Sequence, residues 1–235
     1  MDYTQEKIVE MTGTDIAEHG NWIKDLDSKN DFMGADTFWL SESASRIGKT
    51  SDTNENYTEV VGAFLLENGF IEKDNFTGVK QITKKAPYQA HTKFSPASCY
   101  LSLHLEEKFG TIVESEIELG NYPDDKAGVV DLITYKKDTD ELYLIEFEPN
   151  YSENTLLSAA LKIQTHYQTI NKEKLVNDFY SKENSPISSK NPQIKKVLAL
   201  LNGSNAYREY QENRPNISKI IKYLQIEVLQ IEWDL

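Results

Sequence analysis

Three acids in two short apolar stretches set the chemistry to look for. Asp131 lies in Gly128-Val129-Val130-Asp131-Leu132-Ile133-Thr134-Tyr135, and Glu146 and Glu148 close Leu142-Tyr143-Leu144-Ile145-Glu146-Phe147-Glu148. Both stretches are rich in β-branched and aromatic residues, and Lys137-Asp138-Thr139-Asp140 between them supplies turn chemistry, so together they predict a β-hairpin. A turn centred between Asp138 and Thr139 opposes Tyr135 to Leu142, Ile133 to Leu144 and Asp131 to Glu146. Opposed residues in an antiparallel pair have Cβ atoms about 4.5–5.5 Å apart, and like charges there are destabilising. Two carboxylates so placed need a proton, a cationic side chain or a metal ion between them. Glu148 projects from the same face as Glu146. The other face carries Val130, Leu132, Tyr143, Ile145 and Phe147, a core surface. A register one residue different would separate Asp131 from Glu146 and leave the acids on a solvated face.

The 235 residues suit one domain or one domain with an elaborated end. Hydrophobic residues make up 39%, which is enough for a core. The net charge of −13 argues against a nucleic-acid coating protein, because non-specific affinity comes from neutralising phosphates. It leaves room for an enzyme with a local basic groove. The single Cys99 excludes an internal disulfide framework and a cysteine-based zinc cluster, and its apolar setting makes it a small core residue. The amino terminus has no basic segment followed by an apolar one, and no run approaches membrane-spanning length. The expectation is a cytoplasmic protein with no membrane partner.

Met1 to Asn54 is polar and weakly periodic, and Tyr57 to Asn68 has helical spacing closed by Asn68-Gly69. Lys80, Lys84, Lys85, His91 and Lys93 form a basic island without an acid. With Tyr88 beside them, these lysines suit a phosphate-contacting loop, or else a solvated basic loop. Ser95-Pro96 predicts a helix start, with a helix to about Lys108 that buries Leu101, Leu105 and Phe109 and carries Glu106 and Glu107 near its end. Thr111 to Leu119 alternates as a strand. After the hairpin, Ser152 to Ile170 is the clearest helix, capped by Ser152, with Lys162, Gln164 and His166 as its informative polar residues. Asn171 to Pro192 predicts a shorter helix and a loop. Lys196 to Asn202 is a buried strand, and short helices and a last strand over Leu224 to Trp233 follow. Residues 1–94 therefore form an extension and 95–235 a core of helix, strand, strand, strand, helix, strand: an α/β mixed sheet with helices on its faces.

That order, with Gly128 three residues before Asp131 and with Glu146-Phe147-Glu148 on the next strand, resembles the PD-(D/E)XK nuclease superfamily. The likeness covers roughly Ser95 to Gly203. Glu148 stands where the family has lysine. A minority of restriction endonucleases carry this Glu-x-Glu form, and in other members the following helix supplies the lysine, which here would be Lys162. The resemblance implies a restriction-endonuclease-like fold and Mg²⁺-dependent hydrolysis of DNA, of restriction or phage-defence type, with Mn²⁺ able to substitute. Asp131 and Glu146, with the Phe147 carbonyl and Glu107 from the preceding helix, would hold the metal. Glu148 would act on water and Lys162 on the developing charge, and Lys80, Lys84, Lys85 and Lys93 would touch DNA. Enzymes of this kind that cut both strands often dimerise, so a homodimer is admitted. No P-loop, Ser/His/Asp grouping or dinucleotide motif offers a rival chemistry. Two other readings stay open: an inactive nuclease-fold binding or regulatory protein, and an acidic inhibitor of a nucleic-acid-binding partner.

Overall fold

In the computed structural model, the described residues are 62–63, 66, 94–118 and 129–232. The elements run α1 (Pro96–Ser102), α2 (Glu106–Phe109), β1 (Thr111–Glu118), β2 (Val129–Lys136), β3 (Glu141–Glu148), α3 (Leu156–Thr169), α4 (Lys172–Tyr180), β4 (Gln193–Leu201), α5 (Asn205–Gln211), α6 (Pro215–Tyr223) and β5 (Ile226–Ile231). The five strands form one sheet in the order β1-β2-β3-β4-β5. The first three are antiparallel neighbours, while β3, β4 and β5 run parallel. Parallel neighbours need a long crossover, and α3 with α4 supplies the one between β3 and β4. The chain is thus α/β, a mixed sheet with helices on both faces. Gly128, the basic island and most of the amino-terminal third fall outside the described residues. Of the predicted 57–68 helix, Gly62, Ala63 and Leu66 are described and helical.

The hairpin register follows from its turn. Tyr135 pairs with Leu142, Ile133 with Leu144 and Leu132 with Ile145, as a turn centred between Asp138 and Thr139 requires. Asp140 takes a positive φ of 54° and its N–H donates to the Lys137 carbonyl at 3.3 Å, closing the turn. The paired register ends at Leu132 and Ile145, and one step further Asp131 reaches across to the Phe147 N–H at 2.8 Å, beside Glu146.

Both faces of the hairpin are buried, where one was expected to stand apart as an acid-bearing face. Leu132, Tyr143, Ile145 and Phe147 pack with Cys99, Tyr100 and Phe109 beneath α1 and α2. On the other face Ile133, Tyr135, Leu142 and Leu144 pack with Leu175 and Phe179 of α4. Val130, expected with the first group, packs with this second one. Alongside it Leu157, Ala160, Leu161 and Ile163 of α3 meet Leu198, Leu200, Ile217 and Ile220. A strand covered on both sides reads as a continuous apolar run, which is what Leu142 to Ile145 is.

The expected 95–108 helix is two short helices. Ser95 does cap the first, its hydroxyl accepting from Ser98 N at 3.3 Å with Pro96 at the first turn. The chain then turns through His104 at a φ of 52° before α2 begins. Tyr100 fastens this turn: its hydroxyl donates to the carbonyls of Leu105 (3.2 Å) and Gly110 (2.5 Å). The break rotates Leu101 outward, so that it is 49% exposed rather than buried with Phe109. Gly110 has a φ of 82°, and a Cβ there would lie 2.1 Å from the Tyr135 carbonyl oxygen, so α2 can rest directly on β2.

Candidate functional site: a buried acid cluster at the ends of β2 and β3

Three elements meet at the open end of the hairpin. β2 brings Asp131, β3 brings Glu146 and Glu148, and α3 lies across them. Lys162 and His166 are four residues apart on α3, so they share one side of it and both meet Glu146. Lys162 Nζ lies 2.9 Å from Glu146 Oε2, and His166 Nδ1 lies 2.6 Å from Oε1. An ionised carboxylate only accepts, so His166 donates from Nδ1. The Lys162 contact is an ion pair without hydrogen-bond geometry, and Glu146 Oε2 accepts no hydrogen bond. Asp131 Oδ2 accepts from the Phe147 N–H at 2.8 Å, which pins its carboxyl across the strand pair and within hydrogen-bonding reach of Glu146.

Glu148 has its own cradle. Ser152 Oγ donates to its Oε2 at 2.5 Å and Asn154 Nδ2 approaches the same oxygen at 3.2 Å. Ser152 was expected to cap α3. The helix starts instead after Thr155, whose hydroxyl accepts from Ser158 N at 3.1 Å, and this releases Ser152 to Glu148. A second carboxylate finishes the start of α3: Glu209 of α5 accepts from Leu156 N at 2.8 Å and lies 3.5 Å from Arg214. Replacing Glu209 by alanine leaves the buried Leu156 N–H without its acceptor, while Arg214 keeps Glu212 at 2.6 Å. A loss of about 1–3 kcal/mol in urea unfolding is expected.

Glu146 and Glu148 are 1% and 2% exposed, whereas Asp131 is half-buried with its carboxyl against them. Burial alone would push all three carboxyls up. In Glu146 it is overcome by the charges of Lys162 and His166, which hold it down at about 2. Asp131 goes the other way, well above the usual 3.8, through burial and the neighbouring Glu146 charge. Burial also raises Glu148, with Lys162 and its two hydrogen-bond donors opposing. Lys162 keeps 31% of its side chain accessible. Burial of its ammonium opposes the charge, but Glu146, Asp131 and Glu148 outweigh that and hold it protonated. The cluster therefore favours ionisation of Glu146, between Lys162 and His166, and opposes that of Asp131.

The structure thus brings Asp131, Glu146, Glu148 and Lys162 together and adds His166, Ser152 and Asn154. Glu107 is elsewhere. It lies on α2, on the opposite face of the sheet, where the Lys136 ammonium donates to its carbonyl at 3.3 Å. Helix α2 packs at the turn end of β2 while Asp131 lies toward the other end, so this acid does not join the cluster. Gln164 also points away: two residues from Lys162 on a helix is the wrong side, and its Oε1 accepts from Lys196 at 2.5 Å. Lys80, Lys84, Lys85 and Lys93 lie outside the described residues. Among the described residues no group of three or more His, Cys, Asp or Glu side chains is arranged to hold a metal ion, and no helix is long and apolar enough to cross a membrane. No family model, curated protein or solved structure matches the chain.

Proposed function

We propose that the chain is a metal-dependent endonuclease of the PD-(D/E)XK type that hydrolyses DNA phosphodiester bonds, with its lysine supplied by α3. The observation that carries this reading is the opposition of Asp131 and Glu146 under a helix whose Lys162 reaches Glu146 at 2.9 Å. Helix, three-strand meander, helix and parallel strand follow in the order the resemblance requires. Enzymes of this class depend on Mg²⁺, for which Mn²⁺ can stand in. The donors fit such an ion. Asp131 and Glu146 would offer neighbouring carboxylate oxygens once Asp131 gives up its proton and the ion displaces Lys162 from Glu146 Oε2. Two carboxylates suffice for Mg²⁺, which keeps several waters and takes further oxygens from phosphate.

When bound, the ion supplies charge neutralisation at the phosphate and lowers the pKa of water. The remaining chemistry belongs to the protein. His166 fixes the rotamer of Glu146. Glu148, held by Ser152 and Asn154 and raised by burial, is placed to accept a proton. The water oxygen bonds to phosphorus as its proton passes to Glu148, and the bond to the leaving oxygen breaks. Lys162 offsets the negative charge that develops on the phosphate.

A second reading has one observation in its favour. Glu146 is already answered by Lys162 and His166, as it would be in an inactive nuclease-fold binding module. Calorimetric titration with Mg²⁺ and Mn²⁺, beside plasmid cleavage, separates the two. The expected result is a metal-binding heat in the wild type, lost in Glu146→Ala together with cleavage, while circular dichroism shows both proteins folded. A folded wild type that binds neither ion and leaves plasmid intact rejects the endonuclease.

A further inference from the structure

Beyond cleavage itself, we propose that Tyr151 is a base-stacking platform at the rim of the acid cluster and that the substrate strand arrives unpaired. This rests on the endonuclease reading above. Tyr151 is 60% exposed, more than any other large hydrophobic side chain among the described residues. It follows Glu148 by three positions. It directly precedes Ser152, whose hydroxyl donates to the Glu148 carboxylate at 2.5 Å, so it stands next to a residue of the cluster.

The backbone on either side of Tyr151 is fixed by its neighbours. On one side, Ser152 N–H donates to the Pro149 carbonyl at 2.8 Å, Ser152 Oγ donates to Glu148, and the Ser152 carbonyl accepts from Asn205 N at 3.0 Å. On the other, the backbone of Asn150 presses against Gly203, where an added Cβ would stand 3.1 Å from the Asn150 carbonyl oxygen. Among the described residues Tyr151 stacks on no ring and its hydroxyl takes part in no hydrogen bond.

An exposed aromatic offers a π-face, and every base has one. In a duplex those faces are occupied by neighbouring bases, so a base can stack on Tyr151 only from an unpaired strand, an overhang or a flipped position. Stacking also answers the charge of the chain. At −13 the protein gains little from phosphates in general, and base contacts add affinity that does not depend on counterion release.

The test compares wild type, Tyr151→Phe and Tyr151→Ala in Mg²⁺, on a single-stranded oligonucleotide and on the blunt duplex of the same sequence, with KM and kcat measured separately. The single strand is expected to be the better substrate. On it Tyr151→Ala raises KM by roughly tenfold, and Tyr151→Phe stays close to wild type. The loss on duplex is smaller. Wild-type preference for the blunt duplex, an unchanged KM in Tyr151→Ala, or an equal loss on both substrates overturns the stacking platform while leaving the endonuclease intact. If wild type cuts neither substrate, both readings fall together.

Discussion

Lys162→Met is expected to abolish cleavage and to weaken the fold at the same time. The methionine keeps the stem's packing but removes the ammonium that faces Glu146, Asp131 and Glu148. Removing one partner of a buried ion pair costs about 3–5 kcal/mol, and the 31% accessibility of Lys162 places this site toward the low end. In a chain of this length that is a fall in Tm of roughly 6–12 °C, measurable by differential scanning calorimetry at pH 7. Cleavage is expected to drop by more than about 100-fold, because a positioned charge that stabilises a transition state is commonly worth that much. Lys162→Arg should recover most of the stability, since it restores the charge. A Lys162→Met protein that is as stable as wild type would show that Glu146 is answered by His166 alone.

Asp131→Asn is expected to do the opposite to stability while also removing activity. Folding raises the Asp131 carboxyl well above its usual 3.8, so the folded protein binds that proton more tightly than the unfolded chain. Its contribution is therefore complete below that pH and is lost as pH climbs through the raised folded value. Glu146 runs the other way: with its folded pKa down at about 2 from the usual 4.5, its contribution is complete above 4.5 and is lost as pH falls toward 2. Asparagine reproduces the protonated aspartate, accepting from Phe147 N–H and donating to Glu146, and has no proton to lose. Urea unfolding at pH 8 should show the variant more stable than wild type by about 1–2 kcal/mol, the range typical of relieving a strained functional group. The two proteins should converge toward pH 4, and both should lose stability below it as Glu146 titrates. Saturating Mg²⁺ should stabilise wild type by about 3 kcal/mol at 100 times its Kd and leave Asp131→Asn unmoved. Equal stabilities at pH 8 would mean that Asp131 is ionised in the fold.

The hairpin register that brings Asp131 beside Glu146 was legible because a short turn fixes it. The strand order followed from element lengths and the need for a helical crossover. What sequence did not reveal depends on tertiary context. Ser152 and Thr155 are equally good helix caps by type, and only the demand of Glu148 for donors decides that Ser152 serves the site. His166 could have been singled out from Gln164 by spacing alone, since only the former shares a helix side with Lys162. Glu107 looked eligible because a continuous helix was assumed. The turn at His104, fastened by the Tyr100 hydroxyl, carries no strong local signal, and it also sends Leu101 outward. The covering of the acid face by α3 and α4 was hidden for a similar reason: alternation in a strand shows which residues share a side, but not whether that side meets water.

All the cluster's charged groups come from one uninterrupted stretch, 131–166, whereas completing the sheet requires β3 to find β4 and β4 to find β5, both in parallel. Closing a short loop is less unfavourable entropically than closing a long one, and non-local parallel pairing is the slow part of building such a sheet. The acids are thus brought together beneath α3 by local folding, while the second half of the sheet comes together through more distant contacts. Lys162 and His166 arrive within the same local unit as the charges they answer. In kinetic terms, the cluster carries its own counter-charge through assembly, and its neutralisation does not wait for the long-range half of the molecule.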